Sequence, residues 1–230
     1  MAAATEALKR VKAHTRYVTA DGQRVPGCTT ITGILNKPAL VGWANRLGLE
    51  GVDVEEYVDV LAGIGTLVHT MILADCRREE VDIDTYTPEQ VRLAENAFLS
   101  YLSWRKAHTV IPVLVEQPLV SGDHRFGGTP DLVAEVDGTL ELVDFKSGSG
   151  IYPEHLHQVC GGYKLLVNEH GYNPQRIRIV RIPRAESEAF EEHLLPAGSC
   201  QPHVDLFLHA LAIYRIQQGF RKRPIGAKKS

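Results

Sequence analysis

Gly127-Gly128-Thr129-Pro130-Asp131-Leu132-Val133-Ala134-Glu135-Val136, the turn Asp137-Gly138 and the return Thr139-Leu140-Glu141-Leu142-Val143-Asp144-Phe145-Lys146 decide how this chain reads. An Asp-Gly pair between alternating apolar residues specifies a two-residue type I′ turn, because both turn positions need positive φ. Pairing is then counted outward: Val136 faces Thr139, Glu135 faces Leu140, Ala134 faces Glu141, Val133 faces Leu142, and Leu132 faces Val143. The next pair is Asp131 opposite Asp144. Side chains alternate with period two, so Asp131, Asp144 and Lys146 share one face. The same counting makes the aspartates a non-hydrogen-bonded pair with Cα atoms about 4.5 Å apart. Facing like charges destabilise a sheet. A divalent cation between them turns repulsion into ligation, and hard carboxylate oxygens suit Mg2+ or Mn2+. Lys146 would then polarise a water or a phosphate oxygen. The plainer alternative is an exposed hairpin edge on which two aspartates and a lysine are merely solvated.

At 230 residues, 44% apolar and 23% charged, the chain has the composition of an ordinary globular protein, and one domain is expected. Its parts read as an N-terminal hairpin with helices (1–60), a core (61–185), and a C-terminal helix with a basic tail (186–230). No run of about 18 apolar residues is present, so no membrane span is expected. Charges near Met1 argue against an export signal, which points to the cytoplasm. Cys28, Cys76, Cys160 and Cys200 are far apart, which argues against a zinc ribbon and leaves reduced thiols. Net charge is -3, yet residues 176–230 hold ten Lys/Arg against five Asp/Glu. Arg176, Arg178, Arg181, Arg221, Lys222 and Arg223 would form a phosphate-contacting surface, or else a solvated, solubilising end.

Along the chain, residues 15–26 form a second Asp-Gly hairpin whose expected job is framing. Residues 31–35 read as a helical turn and 39–49 as a helix. Residues 51–59 read as an acidic connection, and 60–76 as a helix apolar nearly all round, hence buried. Thr87-Pro88-Glu89-Gln90 is a capping box with proline at the first helical position, starting a helix to about Ala107. Residues 110–120 read as one strand with Pro112 and Pro118 at irregular points. After the hairpin come a helix over 153–169, a strand over 176–182 and a last helix over 204–217. This order predicts an α/β fold, a central mixed sheet flanked by helices. Gly65-Thr66-Leu67-Val68-His69 places a histidine on the apolar helix with a glycine one turn earlier, which close backbone approach would explain. Alone, such a histidine reads as a hydrogen-bonded core residue.

The hairpin, its Gly-Gly-Thr-Pro lead-in, Gly65-x-x-x-His69 and the Gln158/Tyr163 helix together resemble the RecB-type branch of the PD-(D/E)XK nuclease superfamily. That branch includes lambda exonuclease-like and CRISPR-adaptation nucleases, with a restriction-endonuclease-like core. The likeness runs from about Gly65 to Leu166. It implies that His69, Asp131, Asp144 and the backbone carbonyl of Phe145 bind Mg2+ or Mn2+, and that Lys146 is the catalytic lysine with Gln158 beside it. Glu116 stands where relatives often carry an acid, and either faces the site or only solvent. The family helix usually has Gln-x-x-x-Tyr, whereas Gln158-Val159-Cys160-Gly161-Gly162-Tyr163 is one residue longer. Residues five apart are rotated by about 140° on an α-helix. Either a π-bulge restores the shared face, or Tyr163 belongs to the core. His155 and His157 either substitute for it or are solvated. The spacing of the cysteines speaks against an iron-sulfur cluster.

The resemblance implies hydrolysis of DNA phosphodiester bonds, with an exonuclease acting on linear ends in recombination, repair or phage DNA processing. A non-catalytic DNA-binding or assembly protein and a structure-specific endonuclease are the alternatives. A bacterial or phage-encoded protein is expected. No phosphate-loop glycine motif is present, so a helicase, annealing or recombination partner would be a separate protein, and a homo-oligomer is open.

Overall fold

A computed structural model of the chain describes residues 15–222. Arg223, named above as a DNA contact, lies outside them, and of Lys222 only the backbone is described. Both residues of the Asp137-Gly138 turn have positive φ, 50° and 77°, as type I′ requires. From it β6 (Leu132–Val136) and β7 (Thr139–Lys146) pair in the counted register, from Val136 with Thr139 to Leu132 with Val143.

The ladder stops there, one pair earlier than expected. Asp131 is no strand partner of Asp144: its carbonyl accepts from the Glu116 N–H at 2.8 Å, and its carboxylate Oδ2 accepts from the Phe145 N–H at 2.9 Å. Pro130, which has no N–H to give a ladder, precedes it. Upstream, β5 (Phe126–Gly128) pairs instead with β4 (Leu119–Ser121) as a separate ribbon. The single strand expected over 110–120 is therefore two, β3 (Val110–Val115) and β4, parted at Glu116, whose φ is +45°.

The main sheet has the order β3-β6-β7-β8-β9, with β8 (Arg176–Arg181) and β9 (Glu191–Pro196) completing it. Only β7 and β8 are parallel. A parallel pair needs a crossover, supplied by α5 (Pro153–Leu156), a π-helical segment (His157–Tyr163) and α6 (Lys164–Glu169). The sheet is mixed and flanked by helices, the α/β arrangement expected. Alternation divides the core: Val133, Leu142, Ile177 and Ile179 face α1 (Cys28–Thr32), the π-helical segment and α7 (Gln201–Lys222). Leu132, Ala134, Val143, Phe145 and Val180 face α3 (Val54–Arg77) and α4 (Pro88–Ala107).

The α4 box forms as read, with Gln90 N–H donating to Thr87 Oγ1 and Thr87 N–H to Gln90 Oε1. Helix α3 begins earlier than expected, so most of the supposed acidic connection is helical. Asp53 accepts from the Glu55 and Glu56 N–H groups at 2.9 and 3.1 Å, and acids in a first turn complement the helix dipole. By length and composition α3 could cross a bilayer, but Ile64, Leu67, Val68 and Ile72 are buried against α4 and the sheet. Its apolar residues are not buried all round, because Val60, Ala62 and Gly63 line an open cleft. Helix α2 (Pro38–Leu49) has no buried residue. The N-terminal hairpin, β1 (Tyr17–Val18) with β2 (Arg24–Val25), forms as expected.

Candidate active site

Four elements converge at the carboxyl end of β7. Asp144 is 1% exposed on the face toward the π-helical segment. Lys146 lies two residues on, and its Nζ is 2.7 Å from Asp144 Oδ2. The angle is wrong for a hydrogen bond, so that buried oxygen touches a cation and has no directed donor. Asp131 faces them from the start of β6, and His69 of α3 approaches it, Nδ1 to Oδ1, at 3.4 Å. The glycine one turn before His69 has the reason expected. A Cβ on Gly65 would stand 3.1 Å from Ser147 Oγ, just after Lys146.

Gln158 and Tyr163 do share a face, through the π-helix rather than an α-helix. Gln158 Nε2 donates to the Tyr163 hydroxyl at 2.7 Å, and Lys146 Nζ donates to Gln158 Oε1 at 3.4 Å. The extra residue fits because the widened turn carries Gly161 and Gly162 against α7 and α1. A Cβ on Gly161 would meet the His203 carbonyl oxygen at 2.7 Å, and one on Gly162 would meet Cys28 Sγ at 2.2 Å. Tyr163 is both a core residue and a partner of the site glutamine.

The model of the PD-(D/E)XK nuclease superfamily matches residues 46–213, and this span contains every residue of the cluster. The chain belongs to that superfamily. Similar solved structures include LHK-Exo in complex with dAMP, at 15% identity and a TM-score of 0.35, covering 66% of this chain and 83% of that one. The alkaline exonuclease LHK-Exo from Laribacter hongkongensis, in another structure, gives 16% identity and a TM-score of 0.34, covering 66% and 82%. No curated protein sequence matches the chain.

PD-(D/E)XK nucleases typically use divalent metals, and the donor set fits such an ion. Burial resists ionisation of Asp131, but His69, Lys146 and the Phe145 N–H outweigh it and hold this carboxyl below its ordinary range. Burial pushes Asp144 up to about 6, with the Asp131 charge adding to the shift and Lys146 opposing it. For Lys146, burial is outweighed by Asp144 and Asp131, which keep the ammonium protonated above its usual range. Burial likewise opposes the charge on His69, and Asp131 raises it. Among the described residues no three such side chains already converge in ligand geometry: the Lys146 ammonium is the cation beside Asp144. Along a strand, the N–H and C=O of one residue point to the same side. The Phe145 N–H reaches Asp131, while the Lys146 carbonyl accepts from Ile182 N–H on the opposite side. The Phe145 carbonyl is thus directed toward Asp131.

The cluster opens into a cleft of about 1680 Å3. Glu116 lines it, with Arg77 Nη2 at 3.7 Å from its carboxylate, so it faces the site and not only solvent. The cleft lining includes exposed Arg16 and Arg24 at the N-terminal hairpin together with exposed Asp59, Asp84 and Glu89. Framing therefore understates that hairpin. Nothing in its local sequence places it over the cleft.

The basic strand is corrected outright. Arg178 is 4% exposed, and its guanidinium grips the fully buried Glu141 at 2.6 and 3.0 Å and also meets Glu192. Arg176 bonds Thr139 and lies 3.5 Å from Glu141, and Arg181 is spent on the Gly148 and Ala189 carbonyls and Glu188. Arg178 and Arg181 are buried in holding the sheet together and offer no phosphate surface, whereas the Arg176 side chain stays 38% exposed. Arg221 is exposed near the end of α7, seven residues beyond Tyr214 of the cleft. His157 turns to α7, Nδ1 to Nδ1 of His203 at 2.9 Å, and is not merely solvated.

Proposed function

We propose that the chain is a single nuclease domain of the RecB type, a metal-dependent deoxyribonuclease acting as an exonuclease on linear ends. One observation carries this: Asp144 is a buried carboxylate with an oxygen lacking any directed donor, held between Lys146 and Asp131. His69, Asp131, Asp144 and the Phe145 carbonyl would hold Mg2+ or Mn2+. When bound, the ion neutralises phosphoryl charge and acidifies a water at neutral pH.

The side chains divide the remaining work. Asp144 and Asp131 keep Lys146 protonated, and it would hold the attacking water or a phosphoryl oxygen, or help to deprotonate that water once an ion takes those carboxylates. Gln158 fixes Lys146 Nζ and is itself fixed by Tyr163. Exposed Arg16 and Arg24 at the hairpin would attract a phosphate backbone, and Asp59, Asp84 and Glu89 in the same lining would repel it. Arg16, Arg24 and Arg221 take the phosphate-contacting part that Arg178 and Arg181 cannot.

End-labelled single- and double-stranded DNA, linear and covalently closed, incubated with and without Mn2+, tests the reading. Loss of label from linear DNA only, absent in a Lys146→Ala variant that circular dichroism shows still folded, is the expected result. Cutting of closed circles would make the protein an endonuclease. No cleavage of any DNA with Mn2+, or with Mg2+ in its place, would leave a binding or assembly protein.

A further inference from the structure

Outside the cleft, the π-helical segment and the start of α7 bring four metal-seeking side chains together. His157 opens the segment and His203 lies in the first turn of α7. Their Nδ1 atoms are 2.9 Å apart and their ring centroids 5.1 Å, with the planes inclined by 43°. Cys160 stands three residues after His157, and Cys200 three residues before His203. These thiols are fully buried and hydrogen-bonded to each other. Two pairs of like groups therefore join the same two elements, imidazole to imidazole and thiol to thiol. The close approach depends on Gly161, where a Cβ would stand 2.7 Å from the His203 carbonyl oxygen. The proposed cleavage chemistry uses none of the four, and none lines the cleft.

The imidazole pair has the form of a chelate. At this separation one ring carries its proton on Nδ1 and the other presents a lone pair there. Neither Nε2 has a hydrogen-bond partner among the described residues. The proton of the first ring can therefore pass from Nδ1 to Nε2 without breaking another bond, and both Nδ1 lone pairs then face one point. Burial and then His203 hold His157 below the ordinary imidazole range, which keeps it in the neutral form that binds metal. Metal–nitrogen bonds are about 2.0 Å long, so two of them spanning 2.9 Å subtend about 90°. That is the angle between neighbouring ligands in the square-planar or tetragonal sites of Cu2+ and Ni2+. The thiols stay out of the set. Among the described residues no three such groups converge in ligand geometry, and the Cys160 thiol, bonded to Cys200 and buried, is pushed far above its ordinary range.

We propose that His157 and His203 form a second metal site, distinct from the cleavage centre, for a nitrogen-seeking transition ion of the Cu2+ or Ni2+ class, with water in the remaining positions. Each ring gives its Nδ1, and no proton leaves the protein. Hard Mg2+ and Mn2+ stay with the carboxylates, because oxygen donors suit them and imidazoles suit the later metals. The ion pins the π-helical segment to α7 one residue before Gln158, and so stiffens the turn that carries this glutamine. The site stands on its own residues and does not depend on the nuclease reading.

Electron paramagnetic resonance of the untagged full chain with one equivalent of Cu2+ counts the bound nitrogens. Expected is splitting from two imidazoles in the wild type, lost or halved in His157→Gln and in His203→Gln, and unchanged in His69→Gln at the cleavage centre. Ni2+ should likewise raise the melting temperature of the wild type and of His69→Gln, and leave that of His203→Gln unmoved. Circular dichroism checks that the variants fold. Absence of nitrogen splitting in the wild type overturns the site without recourse to any variant. Equal spectra from wild type and His203→Gln overturn it too, as does a signal lost only in His69→Gln. A thiolate-to-metal charge-transfer band with Ni2+, lost in Cys160→Ala, would put the ion on the thiols and overturn the two-imidazole assignment.

Discussion

Gln158 and Tyr163 stand five residues apart, yet the amide of one donates to the hydroxyl of the other at 2.7 Å across a π-helical turn. That contact leads directly to Lys146. Tyr163→Phe removes the hydroxyl alone and should cost about 1 kcal/mol of stability, the net worth of a typical hydrogen bond. Its larger effect is expected on catalysis, lowering kcat with little change in KM, because Gln158 loses the group that orients it. Steady-state kinetics beside a denaturant melt will separate the two.

The π-helical turn exists only because α1 and α7 pack on bare glycines. Gly162→Ala drives a methyl into Cys28 Sγ and the Phe207 ring, and overpacking of this kind costs about 1 to 3 kcal/mol. Adding Cys28→Ala should return part of that loss, since it removes the nearest obstacle. A double-mutant cycle by urea unfolding checks the coupling; strict additivity would refute the account.

Arg178→Ala leaves Glu141, fully buried on β7, without its bidentate partner. Breaking a buried ion pair from one side costs about 3 to 5 kcal/mol. The expected outcome is a sharp fall in melting temperature, while DNA affinity of whatever remains folded is unchanged. Arg16→Glu and Arg24→Glu should do the reverse, weakening DNA binding and flattening its salt dependence with the fold intact. Filter binding over a range of salt concentrations tests all three.

His155 provides a pH signature. Its folded pKa is about 4, against about 6.5 for an unperturbed imidazole. Between those values the unfolded chain takes up a proton that the folded chain refuses, so the His155 contribution to stability falls as pH drops from the higher value to the lower, while Asp144, raised to about 6, contributes with the opposite sign. His155→Gln should flatten the melting profile in that window and match the wild-type slope above it. His157, also depressed by burial and by His203, contributes with the same sign and remains in both proteins.

Metal should stabilise the fold by binding it alone. At a concentration one hundred times Kd, mass action gives about 2.7 kcal/mol. Thermal shift with Mn2+ should therefore rise for the wild type and vanish in Asp131→Asn, whose amide is a poorer ligand. An equal shift in both would place the ion elsewhere.

The β6–β7 hairpin was legible to the residue because turn chemistry and alternation are local. Where Asp131 leaves the ladder was not, since that depends on Glu116 and on β5 turning to pair with β4, distant partners no window reveals. The arginines of β8 misled for the same reason. Alternating Arg and Ile describes a half-exposed strand, but β8 lies between β7 and β9, where Glu141 and Glu192 wait across the sheet. Strand β9 had no signature of its own: Glu191-Glu192-His193-Leu194-Leu195-Pro196 becomes a strand only because β8 offers it an edge. Asp144 and Lys146 are reached by type and spacing and His69 and Gln158 only through the family resemblance, whereas Arg16 and Arg24 acquire meaning only from the cleft they line.

The Lys146 ammonium beside Asp144 carries one more implication. A protein that supplies its own counter-ion to a buried acid does not need an inorganic one in order to fold. Assembly of the domain and arming of its chemistry are then separate events, and a chelated preparation should be native in shape and silent in activity. An ion arriving later would have to dislodge the lysine from the carboxylate, and the displaced ammonium would be freed toward the very substrate whose arrival the ion prepares.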